Sequence, residues 1–334
     1  MIRLLLSRLG MAAVTWLLAV ALIFIAMRVL PGNPLLAKFG QHPDEVQMRK
    51  LAEEYGWNRP LPWQLVDFFW QLATTGDLGQ SIARGHVSVS RELKERIPAT
   101  IELTLAACLL SVPLGIFAGV IAAVNRGKML DFVGMAGALL GVSIPVFFLG
   151  MLLRGFFTGL PTSQRLPLHV IDFQPLTGLF LIDTLLRGRL DLWLAACRHL
   201  ILPAVTLSSV PAAVIARITR SSMLDVLSSD YIRTARSKGA SFWRTVWRHA
   251  LPNAAVPVTN IAGLQIGLLL SGAVLTETVF DWPGLGQYIA AAVVRDHDYV
   301  AVQAGGVVIA ALFVLLNLLL DFVYLWLDPR LRQP

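Results

Sequence analysis

The sequence predicts an all-α polytopic membrane protein with six transmembrane helices. Three observations carry this. Of 334 residues, 56% are hydrophobic and only 15% charged, against roughly 25% charged in an average soluble domain. Six stretches contain no Asp, Glu, Lys or Arg: 9–27, 103–125, 132–153, 199–216, 249–276 and 299–320. Each suits a hydrocarbon layer about 30 Å thick, crossed by a helix rising about 1.5 Å per residue. The charge is also one-sided. With the N-terminus inside, the inner segments hold 13 basic against 4 acidic residues, and the outer segments 31–98, 158–198 and 277–298 hold 13 against 15. This positive-inside bias accounts for the net charge of +7 without any nucleic acid. A soluble globular domain is excluded, and so is an outer-membrane barrel, whose alternating strands give no long apolar runs.

The first span occupies 1–30. Its apolar run of 19 residues exceeds the roughly 7–15 of a signal-peptide core. No small-x-small site precedes Pro31-Gly32-Asn33-Pro34, so the span is expected to be retained. Residues 31–97 follow as an external subdomain. Pro43-Asp44-Glu45 opens a helix with Val46, Leu51 and Tyr55 among its apolar positions, and Gly56 stops it. Pro60-Leu61-Pro62 restarts the chain. Trp63, Phe68, Phe69 and Trp70 then mark either an interfacial helix or the core of the subdomain, and the turn Gly76-Asp77-Leu78-Gly79 favours the second.

The second span begins near Thr100 and contains Pro113. Asn125–Asp131, with Arg126 and Lys128, is a short inner loop. The third span runs from about Phe132 to Phe157 around Pro145, the fourth from about Leu200 to Arg217 around Pro203 and Pro211. Proline frees a carbonyl and bends a helix, which a membrane tolerates where neighbours or water satisfy the freed group. Three bent helices fit a cavity-forming bundle or plain packing. The external insertion 158–198 carries a short apolar stretch, Leu176–Leu190, interrupted by Asp183, Arg187 and Arg189. It is expected as a surface-lying or re-entrant helix.

The inner loop 218–252 patterns as two short helices. Ser228-Ser229 can cap one starting at Asp230, and Gly239 stops it in a left-handed turn. Ser241 can cap a second, Phe242–Leu251, which ends at Pro252. Phe242, Val246 and Ala250 share one face of the second, and Arg244 and Arg248 form a basic row. Ala235 and Gly239 leave a bare patch on the first. Such a loop either lies on anionic lipid or docks a cytoplasmic partner.

Catalytic signatures are missing. Cys108 and Cys197 read as two free, small apolar side chains. His42, His86, His169, His199, His249 and His297 show no metal-ligand spacing. There is no P-loop, nucleophile elbow or zinc-protease motif. A secondary transporter would place ionisable groups mid-membrane, whereas Glu102 and Asp321 fall near span ends.

At the inner loop the chain resembles a known family. Asp230-Tyr231-Ile232-Arg233-Thr234-Ala235-Arg236-Ser237-Lys238-Gly239, followed by His249-Ala250-Leu251, is similar to the EAA signature of permease subunits in ATP-binding-cassette importers. The wording is that of the peptide/nickel permease group. Arg217–Leu224, Thr276-Glu277-Thr278-Val279-Phe280-Asp281-Trp282-Pro283-Gly284-Leu285-Gly286, Asn317–Asp321 and Asp328-Pro329-Arg330 belong to the same pattern. So do Pro31–Pro34, Gly76–Ser81 and Pro98–Leu103. The long external segment resembles the B-type subunit of the permease pair, and Pro175–Asp183 looks most like dipeptide permeases.

The resemblance implies a type I importer fold with its permease core at 98–327, including the insertion 158–198 and the coupling loop 218–252, and a cytoplasmic tail at 328–334. It implies a non-enzymatic, multi-pass subunit of the bacterial inner membrane with both termini cytoplasmic. Its implied partners are a homologous second permease, two cytoplasmic ATPase subunits, an external solute-binding protein and membrane lipid, with no nucleic acid. ATP and magnesium would reside on the ATPases, and this chain would bind no cofactor or metal. Asp230, Tyr231, Arg233, Ala235, Arg236, Lys238, Gly239 and His249 would form the ATPase-coupling loop. Glu277, Phe280, Pro283, Gly284 and Gly286 would form an external motif or gate. Dipeptides or short peptides are the expected cargo; oligopeptides, glutathione, nickel chelates or short sugars are the alternatives.

Overall fold

A computed structural model describes residues 2–29, 45–54, 56–167, 169–170 and 173–327. Pro31–Pro34, Tyr55, Asp328-Pro329-Arg330 and the rest of the tail lie outside the described residues, as do Pro43 and Asp44. The described chain is helical: α1 Ile2–Val29, α2 Glu45–Glu54, α3 Leu61–Thr74, α4 Val89–Val124, α5 Met129–Ser143, α6 Val146–Phe156, α7 Phe180–Leu186, α8 Leu190–Leu227, α9 Asp230–Ser237 and α10 Phe242–Arg244. A π-helical turn, Thr245–Ala250, then leads into α11 Leu251–Val279, followed by α12 Leu285–Val294 and α13 Tyr299–Leu327.

Five of these helical stretches are long and apolar enough to cross a membrane, and α5 with α6, bent by 107°, make a sixth if the pair is one span. The bend falls at Ile144-Pro145, where Ile144 is extended and Pro145 starts α6. The third span is therefore broken outright, where a kink was expected. Pro203 and Pro211, by contrast, stay inside one 38-residue helix. Helices also outrun their charge-free windows. The helix that holds the second span starts at Val89, and the one that holds the fourth starts at Leu190. Charge limits what crosses lipid, but a helix continues into water wherever its backbone bonds are made. The insertion's short helix shrinks accordingly to Phe180–Leu186.

The chain forms two compact units, 1–99 with 283–318 and 100–282 with 319–334. In the first, Phe24 of α1, Phe68 of α3, Leu93 of α4, Leu285 and Tyr288 of α12 and Ala304 of α13 share one apolar cluster. Small residues on α13 permit it: a side chain at Gly305 would overlap Ile289, and one at Gly306 would touch Ile23. Gly56, Gly76 and Gly79 all have positive φ, so the expected helix stop and turn both form. Polar links tie the segment around Arg84 to the residues after α12. Arg84 Nε and Nη2 donate to Asp296 Oδ2 at 2.9 and 2.5 Å, and Arg84 Nη1 donates to Glu92 at 3.2 Å. Tyr288 OH donates to Glu92 Oε2 at 2.8 Å, and Ser81 Oγ donates to Asp298. Burial alone would raise the Asp296 carboxyl. The hydrogen bonds from Arg84 and Arg295 outweigh it and hold the group below the usual carboxylate range.

The second unit is organised around α8, which packs on α5, α6, α7 and α11. The approach of α4 to α8 depends on glycine. A Cβ at Gly119 would lie 2.5 Å from the Ala216 carbonyl oxygen and from Thr219 Cβ, and one at Gly115 would lie 2.8 Å from Ile215. On the inner side, Arg220 of α8 grips Asp131 in the first turn of α5. Large exposed apolar residues such as Leu109, Phe117, Phe132, Leu264 and Leu268 cover the helices, as expected for surfaces meeting lipid or other spans.

Candidate functional site

The inner loop forms its two helices by an unexpected route. Ser229 and Ser241 hold extended N-cap positions, yet neither side chain caps its helix. Ser229 Oγ instead donates back to the Val226 carbonyl, and Ser228 Oγ to Asp225. Gly239, at φ 88°, ends α9 in the left-handed turn expected of it. Pro252 does not end the second helix. It sits in the first turn of α11, directly after the π turn. From Phe242 to Val279 the backbone is thus helical throughout.

Ile232 anchors α9. It is fully buried in a cluster with Val120 and Ala123 of α4, Met223 of α8, Val246, Ala250 and Ala254. Val246 and Ala250 face inward as expected, but Phe242 is 47% exposed. The wider π turn breaks the i, i+4 alignment and carries Phe242 off the buried face. With Ile232 inward, the rest of α9 faces solvent. Asp230, Arg233, Arg236 and Lys238 are exposed, Ala235 and His249 half-buried. Tyr231 OH donates to the His249 carbonyl at 3.4 Å, bracing the two parts of the loop. Between them lies a groove of about 430 Å³ lined by Tyr231, Thr234, Ala235, Gly239, Arg244 and His249. The predicted loop residues converge on this groove or its rim, except Asp230, Arg233 and Arg236, which do not line it. Ile232 was missed as the anchor. Its signal was legible, since it is the only aliphatic residue larger than alanine in Asp230–Ser237.

The outer motif divides between the two units. Pro283, Gly284 and Gly286 belong to the first, where Gly284 is the N-cap of α12 and Gly286 is buried in its first turn. Glu277 and Phe280 belong to the second, and both are fully buried. Glu277 accepts a hydrogen bond from Thr100 Oγ1 at 2.6 Å, and its carbonyl accepts the Trp282 N–H at 2.8 Å. A cluster from the insertion also belongs here, and sequence reasoning missed it. Arg165 Nη2 donates to Glu102 Oε2 at 2.5 Å and to the Gly178 carbonyl at 2.8 Å. Its guanidinium lies 3.7 Å from the Phe180 ring centroid and 5.7 Å from that of Trp282. Burial pushes it below the ordinary arginine range although Glu102 opposes the shift. Asp183 accepts the N–H groups of Leu176, Thr177 and Gly178 at 2.9–3.1 Å. These contacts fix the insertion onto α4 and the end of α11 without supplying a nucleophile or general base. Among the described residues no group of His, Cys, Asp or Glu could hold a metal.

Residues 112–333 match the family described as binding-protein-dependent transport system inner membrane component. The chain belongs to this family. It is a transport component of the inner membrane, multi-pass and without a catalytic domain. The di/tripeptide transport system permease protein DppB of Pseudomonas aeruginosa is 44% identical, over 98% of this chain and 97% of that one. The dipeptide transport system permease protein DppB of Escherichia coli K12 is 40% identical, over 100% and 99%. The probable D,D-dipeptide transport system permease protein DdpB of the same strain is also 40% identical, over 93% and 92%. The resemblance seen in the loop residues therefore extends along the whole chain.

Proposed function

We propose that this chain is the permease subunit through which an ATP-driven importer passes dipeptides or short peptides into the cytoplasm. The observation that carries it is near-end-to-end similarity to dipeptide permeases, joined to an inner loop whose helix is anchored on one face and open on the other. The open face suits a protein partner. Its groove, lined by Tyr231, Ala235 and Gly239, can receive a protruding side chain, and the exposed rings of Phe242 and Trp243 stand beside it.

In this reading the loop 218–252 docks an ATPase subunit, and a second permease completes the pathway. A binding protein delivers cargo to the outer segments 31–97 and 158–198. ATP and magnesium stay on the ATPases. Closure of the ATPase pair displaces the loops, and the loops displace the spans. Both termini are cytoplasmic.

The test is uptake of a labelled dipeptide by vesicles containing the chain with its cognate permease, ATPases and binding protein. Uptake should require ATP and every subunit. Uptake that survives loss of the ATPases would replace this reading with an ion-coupled transporter. Orientation is checked separately. In a variant lacking Cys108 and Cys197, Thr74→Cys and Gln174→Cys should react with an impermeant thiol reagent in intact cells, and Ser237→Cys should not.

A further inference from the structure

Arg28 lies in the last turn of α1, half-buried. Its Nε donates to Gln64 Oε1 at 3.1 Å and its Nη1 to Gln303 Oε1 at 3.2 Å. Its guanidinium carbon lies 4.7 Å from the Phe24 ring centroid and 5.2 Å from that of Trp57. All four neighbours are neutral. Among the described residues Arg28 has no carboxylate at ion-pair distance. A partly desolvated cation without a counter-ion is costly. Beside it opens a cavity of about 400 Å³, within the range of small-molecule sites.

The same cavity is lined by Glu53, Asp67 and Trp70 as well as Trp57. Glu53 is exposed, and among the described residues Asp67 is engaged only by the exposed Arg59, at 2.8 Å. Carboxylates and indole faces together attract an ammonium group. The lining therefore asks for one small group bearing both an anion and an amine. The surroundings supply its source. On a neighbouring face of α1, about a quarter turn around the helix from Arg28, Leu18, Leu22 and Val29 are 66–70% exposed, a track for acyl chains. Trp63 and Trp70 of α3 are 64% and 70% exposed, as tryptophans are at a membrane interface.

We propose that this cavity is a binding site for the headgroup of a zwitterionic aminophospholipid, its phosphate on Arg28 and its ammonium toward Glu53, Asp67 and the indole rings. Only its placement in the outer leaflet rests on the orientation proposed above. A short peptide carries the same two charges but no acyl chains, so the exposed apolar track favours lipid.

The test is native mass spectrometry of the full chain, purified with its partner subunits in detergent. The probes are dioctanoyl phosphatidylethanolamine, dioctanoyl phosphatidylglycerol, inorganic phosphate and dialanine. Phosphatidylethanolamine should bind at least tenfold more tightly than phosphatidylglycerol. Arg28→Gln should weaken it at least tenfold, and Arg28→Lys less. The double variant Glu53→Gln, Asp67→Asn alters only exposed side chains. It should abolish the preference between the two lipids while phospholipid still binds. Equal affinity for both lipids, unchanged binding by Arg28→Gln, or displacement of the lipid by phosphate or dialanine would overturn the proposal. Should Arg28→Gln fail to assemble, the double variant decides, and an undiminished lipid preference in it overturns the site. Dipeptide uptake is measured apart, so loss of this site leaves the transport reading standing.

Discussion

Arg220 and Asp131 form a two-point ion pair, with Nε to Oδ1 at 2.5 Å and Nη2 to Oδ2 at 2.7 Å. The Gly127 N–H also donates to Asp131, at 3.0 Å. This joins the short loop 125–128, α5 and α8. Removing one partner of a buried pair costs about 3–5 kcal/mol. Arg220 remains 27% exposed, so Asp131→Asn should fall at the lower end. The charge swap Asp131→Arg with Arg220→Asp should recover part of the loss. Thermal unfolding in detergent of the native chain, Asp131→Arg, Arg220→Asp and the swap measures this; strict additivity would show that the pair contributes nothing.

The Glu102–Arg165 pair is more deeply buried, with side chains 6% and 5% exposed. Glu102→Gln should strand Arg165 against Phe180 and Trp282 and loosen the insertion. The double variant Glu102→Gln, Arg165→Met should be more stable than Glu102→Gln alone, because no uncompensated charge remains. Limited proteolysis of segment 158–198 reports the loosening. A double variant cleaved faster than the single would contradict the argument.

Gly119→Ala should destabilise the second unit by about 1–3 kcal/mol, the usual cost of overpacking a fitted contact. Its new methyl group has nowhere to go between Ala216 and Thr219. Gly137→Ala, on α5 with nothing within 4 Å of the added atom, is the control. Equal melting temperatures for the two variants would refute the close approach.

The loop separates anchoring from docking. Ile232→Ala should cost about 2–5 kcal/mol locally, by opening a cavity, and should raise hydrogen exchange across α9. Ala235→Trp should instead leave exchange unchanged, fill the groove and abolish ATPase pull-down. Gly239→Val should do both, through strain at positive φ. Normal ATPase capture by Ala235→Trp would return the loop to lipid.

Asp296 sets an acid limit on the first unit. Its folded carboxyl titrates below its ordinary value, near 3.9 when unfolded. Its stabilisation is therefore complete above that range and is lost as pH falls through the lower folded value. Melting temperature should drop below about pH 4 in the native chain, and less steeply in Asp296→Asn. Parallel curves would show that the Arg84 contact has no energetic weight.

Much of this was legible in the residues. Five of the six charge-free windows fall in helices long and apolar enough to span, and the sixth falls in the bent pair α5 and α6. Gly239 ended its helix because φ is a local property. What failed was long-range or geometric. Glu102 and Arg165 lie 63 positions apart, and nothing in one sequence pairs them. Pro145 breaks a span while Pro203 and Pro211 do not, because the outcome depends on what neighbouring helices offer the freed carbonyls. Serines at 229 and 241 were read as caps from residue type, but their hydroxyl groups had other, or no, helix-capping partners.

The π turn at Thr245–Ala250 amounts to an α-helix with one residue inserted. The wider turn absorbs that residue, so the helix on either side keeps the phase it would have without it. Deleting one residue of the turn would therefore close it into ordinary α-helix and leave Phe242, Trp243 and Arg244 in their present orientation. Because the backbone stays helical from Phe242 to Val279, a deletion farther along, inside Leu251–Val279, has no such slack and would rotate everything before it by about 100°.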